Sequence, residues 1–238
     1  MRIFNKYRIL RLVLVCFMFL GNKADKKLLI SFHHFIGNQP LVLNDTATNI
    51  FGEKIVVRKF KYYVANLVII TVDGKRQTLP NSYFLIDETD SLSKSIVLPQ
   101  PNKAISSLEF ILGVDSLRNC SGIQTGALDP LHGMFWTWNT GYIFAKLEGN
   151  APAAQTAANG FTFHIGGFKK GENAIKTIQL PIQENNSSKD IQIKVDINAW
   201  FNGKEALPIA NNPICHSPGK LALRFANNYA QMFTIMKP

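Results

Sequence analysis

Tyr62-Tyr63-Val64-Ala65-Asn66-Leu67-Val68-Ile69-Ile70-Thr71-Val72 runs directly into Asp73-Gly74. β-Branched and aromatic residues fill the run, and the dipeptide that ends it suits a tight hairpin turn of type I′. Runs of the same character lie on both sides. Residues 28–34, 41–43 and 55–60 precede it, and residues 83–86, 96–98, 108–114, 142–147, 160–164, 175–182 and 191–201 follow. Gly, Pro, Asn and Asp punctuate the intervals, as expected between strands. One stretch keeps a helical period instead. In residues 219–233, Leu221, Leu223, Phe225, Ala226, Tyr229, Met232 and Phe233 recur near 3.6-residue spacing, with Ser217 as N-cap and Pro218 as the first helical residue. Successive strands without alternating long helices exclude a parallel α/β fold. The expected architecture is all-β: an antiparallel β-sandwich or distorted barrel with long loops and a short C-terminal helix.

The first two dozen residues read differently. Arg2, Lys6, Arg8 and Arg11 precede the apolar run of residues 12–20, and Gly21-Asn22-Lys23-Ala24 follows. A basic head, a short apolar block and small residues make a secretory signal peptide over residues 1–24. The apolar block is too short to span a membrane. Cys16 raises a lipid anchor, although Val15 stands where lipidation wants a small residue. Residues 25–238 then form a single β domain in the periplasm or at the cell surface. The leader holds five basic and no acidic residues, so it accounts for half of the formal net charge of +10. The remaining charge is scattered and forms no basic stripe with interleaved aromatics, which argues against nucleic acid as a partner. Cys120 and Cys215 are the cysteines beyond the leader. An oxidising compartment permits a disulfide between them, and two separate thiols fit equally well.

Enzyme templates are absent: there is no Gly-x-Ser-x-Gly elbow, no His-Glu-x-x-His, no Walker loop and no Gly-x-Gly-x-x-Gly. The chain is therefore read as a binding protein and not an enzyme. Asp87, Glu88 and Asp90 lie between strands, where such a group is usually a solvated turn. The histidines are His33, His34, His132, His164 and His216. On a strand over residues 28–34, His33 and His34 face opposite ways, so only one can serve a common site. Imidazole is the commonest metal ligand and the best borderline donor this composition offers. A long loop, residues 115–141, carries Leu131, His132, Met134, Phe135, Trp136 and Trp138. It is too apolar for disorder and is expected to pack, and packed loops carry sites. In extended backbone Trp136 and Trp138 share a face.

The stretch Gly113-Val114-Asp115-Ser116-Leu117-Arg118-Asn119, with Gln124-Thr125-Gly126-Ala127-Leu128-Asp129-Pro130 and Gly133-Met134-Phe135-Trp136-Thr137-Trp138-Asn139-Thr140-Gly141-Tyr142, resembles the MbnP family of exported, methanobactin-associated proteins linked to copper uptake. Phe60 to Asn66 and the closing segment from Ser217 to Phe233 share the resemblance, which spans the chain beyond its leader. It implies a mononuclear copper ion, Cu(I) or Cu(II), held mainly by histidines. It also implies that Trp136 or Trp138 is oxidised to kynurenine, whose new aromatic amine helps hold the metal. His164 is the implied first ligand, His34 the second, and His132 and His216 are further choices. The implied partners are a di-haem peroxidase-like protein and an outer-membrane transporter. On this reading His34 and His164 converge near Trp136 or Trp138. The competing reading is a metal-free cell-surface module that binds glycan or protein, with the tryptophans as an exposed stacking platform. A hydrolase with a spatially assembled triad is a third.

Overall fold

The computed structural model describes residues 26–137, 140–183 and 190–237. The expected signal peptide over residues 1–24 and Trp138 lie outside them. Among the described residues the strands are β1 (Lys27–Ile36), β2 (Gln39–Pro40), β3 (Thr46–Thr48), β4 (Lys54–Thr71), β5 (Arg76–Thr78), β6 (Tyr83–Asp87), β7 (Ser95–Pro99) and β8 (Ile105–Leu112). Helix α1 (Ser116–Cys120) comes next, followed by β9 (Phe135–Thr137), β10 (Gly141–Asn150), β11 (Gly160–Gly166), β12 (Lys176–Pro181) and β13 (Asp190–Asp196). The chain ends with α2 (Asn198–Phe201), β14 (Ile214–Cys215), α3 (Lys220–Tyr229) and β15 (Phe233–Ile235).

Two sheets enclose the core, as expected of a mainly β sandwich. One runs β15-β13-β1-β2, with β7 also paired to β1; the other runs β12-β8-β4-β10-β11-β14, with β3, β5 and β6 also on β4 and β9 on β10. The expectation of purely antiparallel sheets needs correction. β1 pairs with β13 in parallel, and so does β11 with β14. Long connections separate both pairs in the chain, and that is what parallel pairing requires.

The runs at residues 55–60 and 62–72 are one strand, β4. Its first part pairs with β10 and its last part with β8. The change of register falls at Asn66, whose φ is +50° and whose N–H reaches the Ser82 carbonyl at 2.9 Å. Asparagine tolerates that left-handed backbone better than most residues. At the far end, Gly74 (φ +78°) donates to the Thr71 carbonyl at 2.8 Å. Asp73 does not share the positive φ, so the turn is not of type I′.

Inward-facing rings dominate the core. Phe32, Tyr62, Phe110 and Phe233 meet edge to face, with Phe110 and Phe233 centroids 5.2 Å apart. Phe163 packs on Phe225 at 4.5 Å and lies beside Trp200, which meets Tyr229 at 4.8 Å. Helix α3 is shorter than its periodicity suggests. It begins at Gly219 (φ +142°) with no side-chain cap, so Ser217 is not the N-cap, and Phe233 leaves it to join β13 as part of β15. Burial of Phe233 against Phe110 and Tyr62 outweighs one more helical turn. Cys120 is exposed and Cys215 buried, and both are free thiols.

Phe163 is fully buried among four other aromatic rings. Phe163→Ala is expected to lower unfolding free energy by about 3–5 kcal/mol, read from urea denaturation midpoints at unchanged slope.

Candidate functional site

The site is built on the outer face of β4, β10 and β11. Phe60 and Tyr62 point into the core, so the pleat turns Lys59 and Lys61 outward. Lys146 on β10 stands opposite Lys61 on one side and His164 of β11 on the other. Phe163 and Ile165 are fully buried, which leaves His164 on the outer face with Lys146.

Glu148 organises this surface. It accepts from His164 Nε2 at 2.7 Å and from Lys59 Nζ at 3.1 Å, with Lys146 Nζ at 3.8 Å. The His164 hydrogen bond, joined by the two lysines, pulls the carboxyl down to about 2 against the opposing effect of burial. Glu148 is thus ionised at neutral pH, and His164 donates Nε2–H to it. In a neutral imidazole that bond places the other lone pair on Nδ1, where a ligand could meet it.

The loop between β8 and β10 covers part of the same face. Its 3₁₀ turns at Gly126–Leu128 and Pro130–His132 give it regular structure. Two tyrosines pin it down: Tyr63 donates to the Ala127 carbonyl at 3.0 Å and Tyr142 to the Leu128 carbonyl at 2.8 Å. Lys146 Nζ donates to the Gly133 carbonyl at 2.5 Å, and burial lowers the pKa of this amine. The Trp136 indole then lies directly on β11. A Cβ on Gly166 would fall 2.9 Å from Trp136 Cζ3 and 2.4 Å from the Tyr142 carbonyl oxygen. Only glycine lets the ring rest there, two residues along the strand from His164. His132 is exposed on the same loop, its Nε2 3.0 Å from the Gly126 carbonyl.

His34 belongs elsewhere. Its side chain is 1% exposed, with Nδ1 2.5 Å from Glu88 Oε2 and Nε2 3.0 Å from the Tyr62 hydroxyl. Its ring packs edge-on against Phe60 at 4.8 Å, on the core side of β4. His34 and His164 therefore occupy opposite faces of one sheet, and the expected convergence of the two does not occur. Both nitrogens of His34 are engaged, and burial lowers its pKa despite the Glu88 bond. The Asp87–Asp90 turn is likewise not merely solvated: Asp87 pairs with Lys61 at 2.7 Å, and Glu88 bridges His34 and Lys94. His33 points outward and is exposed, as alternation requires, and His216 is exposed as well. Among the described residues, no three His, Cys, Asp or Glu side chains stand together as a ready metal cluster. Trp136 is half-buried against the strand and does not stand out as an exposed platform.

A family model described as MbnP matches residues 25–217. The chain belongs to the MbnP family. Its fold is similar to that of MbnP from Methylosinus trichosporium, with a TM-score of 0.60 over 88% of this chain and 97% of that one, at 14% sequence identity. No curated protein sequence matches this one. Within this MbnP domain, His164 and Trp136 are the expected residues that share a face, and His132 is exposed on the loop that carries Trp136. Glu148 was not foreseen. The signal was available, since Lys146 and Glu148 are charged residues two apart in an apolar strand.

The His34 environment sets a pH dependence. Native His34 resists protonation, whereas the unfolded chain takes a proton below about 6.5. Stability should therefore fall as pH drops below about 6.5, by at most about 1.4 kcal/mol per pH unit. His34→Gln should flatten that limb in urea melts between pH 7 and 5.

Proposed function

We propose that this chain is an exported, non-enzymatic copper-binding protein. It would hold one copper ion on the outer face of β11, next to Trp136, for copper acquisition or handling. The observation that supports this best is the Trp136 ring laid on Gly166, on the same face as His164, whose Nε2 is held by Glu148. His164 is the principal ligand in this reading, and Glu148 orients its ring from behind, as partners of metal-bound histidines do. His132, on the covering loop, is the second imidazole candidate. His34 is assigned to the core.

The described donors alone make an incomplete set, and this fits the family's implied chemistry. Kynurenine derived from Trp136 or Trp138 would contribute an aromatic amine beside His164. Its formation would need an oxidising partner of the di-haem peroxidase type, and release would need an outer-membrane transporter. Imidazole and aromatic amine donors suit Cu(I) or Cu(II) better than magnesium or calcium. The periplasm or cell surface is the place where such a protein would meet the metal.

Competition titration of the mature protein, purified from its own host, with Cu(I) tests the assignment. One tight site is expected, lost in His164→Ala. Glu148→Gln should weaken it by about 10–100-fold. His34→Gln should keep it while lowering the melting temperature. Loss of copper in a folded His34→Gln protein, with His164→Ala unaffected, would overturn the proposal.

A further inference from the structure

A cavity of about 470 Å³ opens on the far side of the covering loop. Asn81, Tyr83, Arg118, Ile123, Gln124 and Thr125 form most of its wall. Its size is that of a small-ligand pocket. Arg118 of α1 is fixed within it. The guanidinium carbon stands 5.8 Å from the centre of the Tyr83 ring. Nη1 donates to Gln124 Oε1 at 3.1 Å, and Gln124 Nε2 donates back to the Arg118 carbonyl at 2.8 Å.

This held cation has no counter-ion. Among the described residues, no carboxylate lies within ion-pair distance of Arg118. Asp115, the nearest acid in sequence, is otherwise engaged: one oxygen accepts from the Arg118 backbone N–H and the other from the Tyr83 hydroxyl. Burial and that carboxylate push the Tyr83 hydroxyl up to about 12, so it remains a donor to Asp115, while both its oxygen and its ring lie against the arginine. Arg118 Nε is buried with no hydrogen-bond partner.

We propose that this cavity binds the free carboxylate of a ligand with a small apolar body, with Arg118 as its anion partner. A carboxylate matches the planar guanidinium fork and balances its charge. Ile123, 80% exposed at the rim, and the buried Leu128 offer apolar contact to the rest of the ligand. Asn81 and Thr125 can bond an adjacent amide. A small organic acid and a peptide C-terminus present the same chemistry. The inference does not depend on copper.

Calorimetric titration of the metal-free mature protein with N-acetyl-leucine and with N-acetyl-leucinamide is the test. The acid is expected to bind saturably with a Kd of about millimolar, as its size allows. The uncharged amide should bind at least about tenfold more weakly, and so should the acid to Arg118→Lys, which keeps the charge and loses the fork. Gln124→Ala should weaken the acid without unfolding the chain, which covers a failure of the arginine variant to fold. Tighter binding of an acetylated tripeptide ending in leucine would assign the pocket to a chain end, and equal binding to a small acid. Equal affinity for acid and amide, equal affinity for inorganic phosphate, or acid binding unchanged in Arg118→Lys would each overturn the proposal. Absence of saturable binding at about ten millimolar would do so too.

Discussion

The structure depends on β4 being covered on both faces. Along Tyr62–Ile69 its residues are almost all buried, which one core on one side cannot achieve. The second layer is the loop from α1 to β9. Leu128 and Met134 bury themselves beneath it, and polar contacts to the sheet fasten the rest. The hydroxyls of Tyr63 and Tyr142 take the Ala127 and Leu128 carbonyls, Asn119 accepts from the Tyr142 N–H at 2.8 Å, and Lys146 takes the Gly133 carbonyl. Three of these bonds join side chains of the central sheet to loop carbonyls, and the fourth joins a loop side chain to the strand backbone. Their joint effect is to bring Trp136 down on Gly166 and to raise Arg118 beside Tyr83. Both proposed binding regions are thus consequences of how one loop is fastened to one sheet.

The same sheet divides the chemistry. On its core side, Tyr62, His34 and Glu88 form a hydrogen-bonded chain that engages both nitrogens of the imidazole. Lys94 completes the charge of Glu88 at the edge. Such a network specifies packing and offers nothing to a ligand without first breaking a buried bond. On the outer side, charges are arranged around Glu148, and His164 is oriented without being enclosed. The difference between the core histidine and the one proposed to bind is not residue type but which side of the sheet it stands on.

Much of this was legible in the chain. Strand content, the position of the covering loop and the outward turn of His33 follow from residue type and period-two alternation. The resemblance of the aromatic loop pointed to the family whose model then matched residues 25–217. What escaped detection was long-range. Nothing local distinguishes His34, which meets Glu88 across 54 positions, from His164, which meets Glu148 across 16. Parallel pairing of β1 with β13 joins opposite ends of the domain, and no sequence period reports it. Asp87 to Asp90 read as a solvated turn because their partners, Lys61 and His34, lie on other strands. The α3 boundary was misplaced because Phe233 gains more from the aromatic core than from another helical turn.

The central claim is that the metal belongs to the outer face of β11 and not to the core side of β4. Anomalous diffraction at the copper edge from crystals of the copper-loaded protein tests it most directly. The account predicts a single peak within bonding distance of His164 Nδ1 and next to the Trp136 segment. A peak at His34, with Glu88 and Tyr62 displaced from its ring, would contradict it.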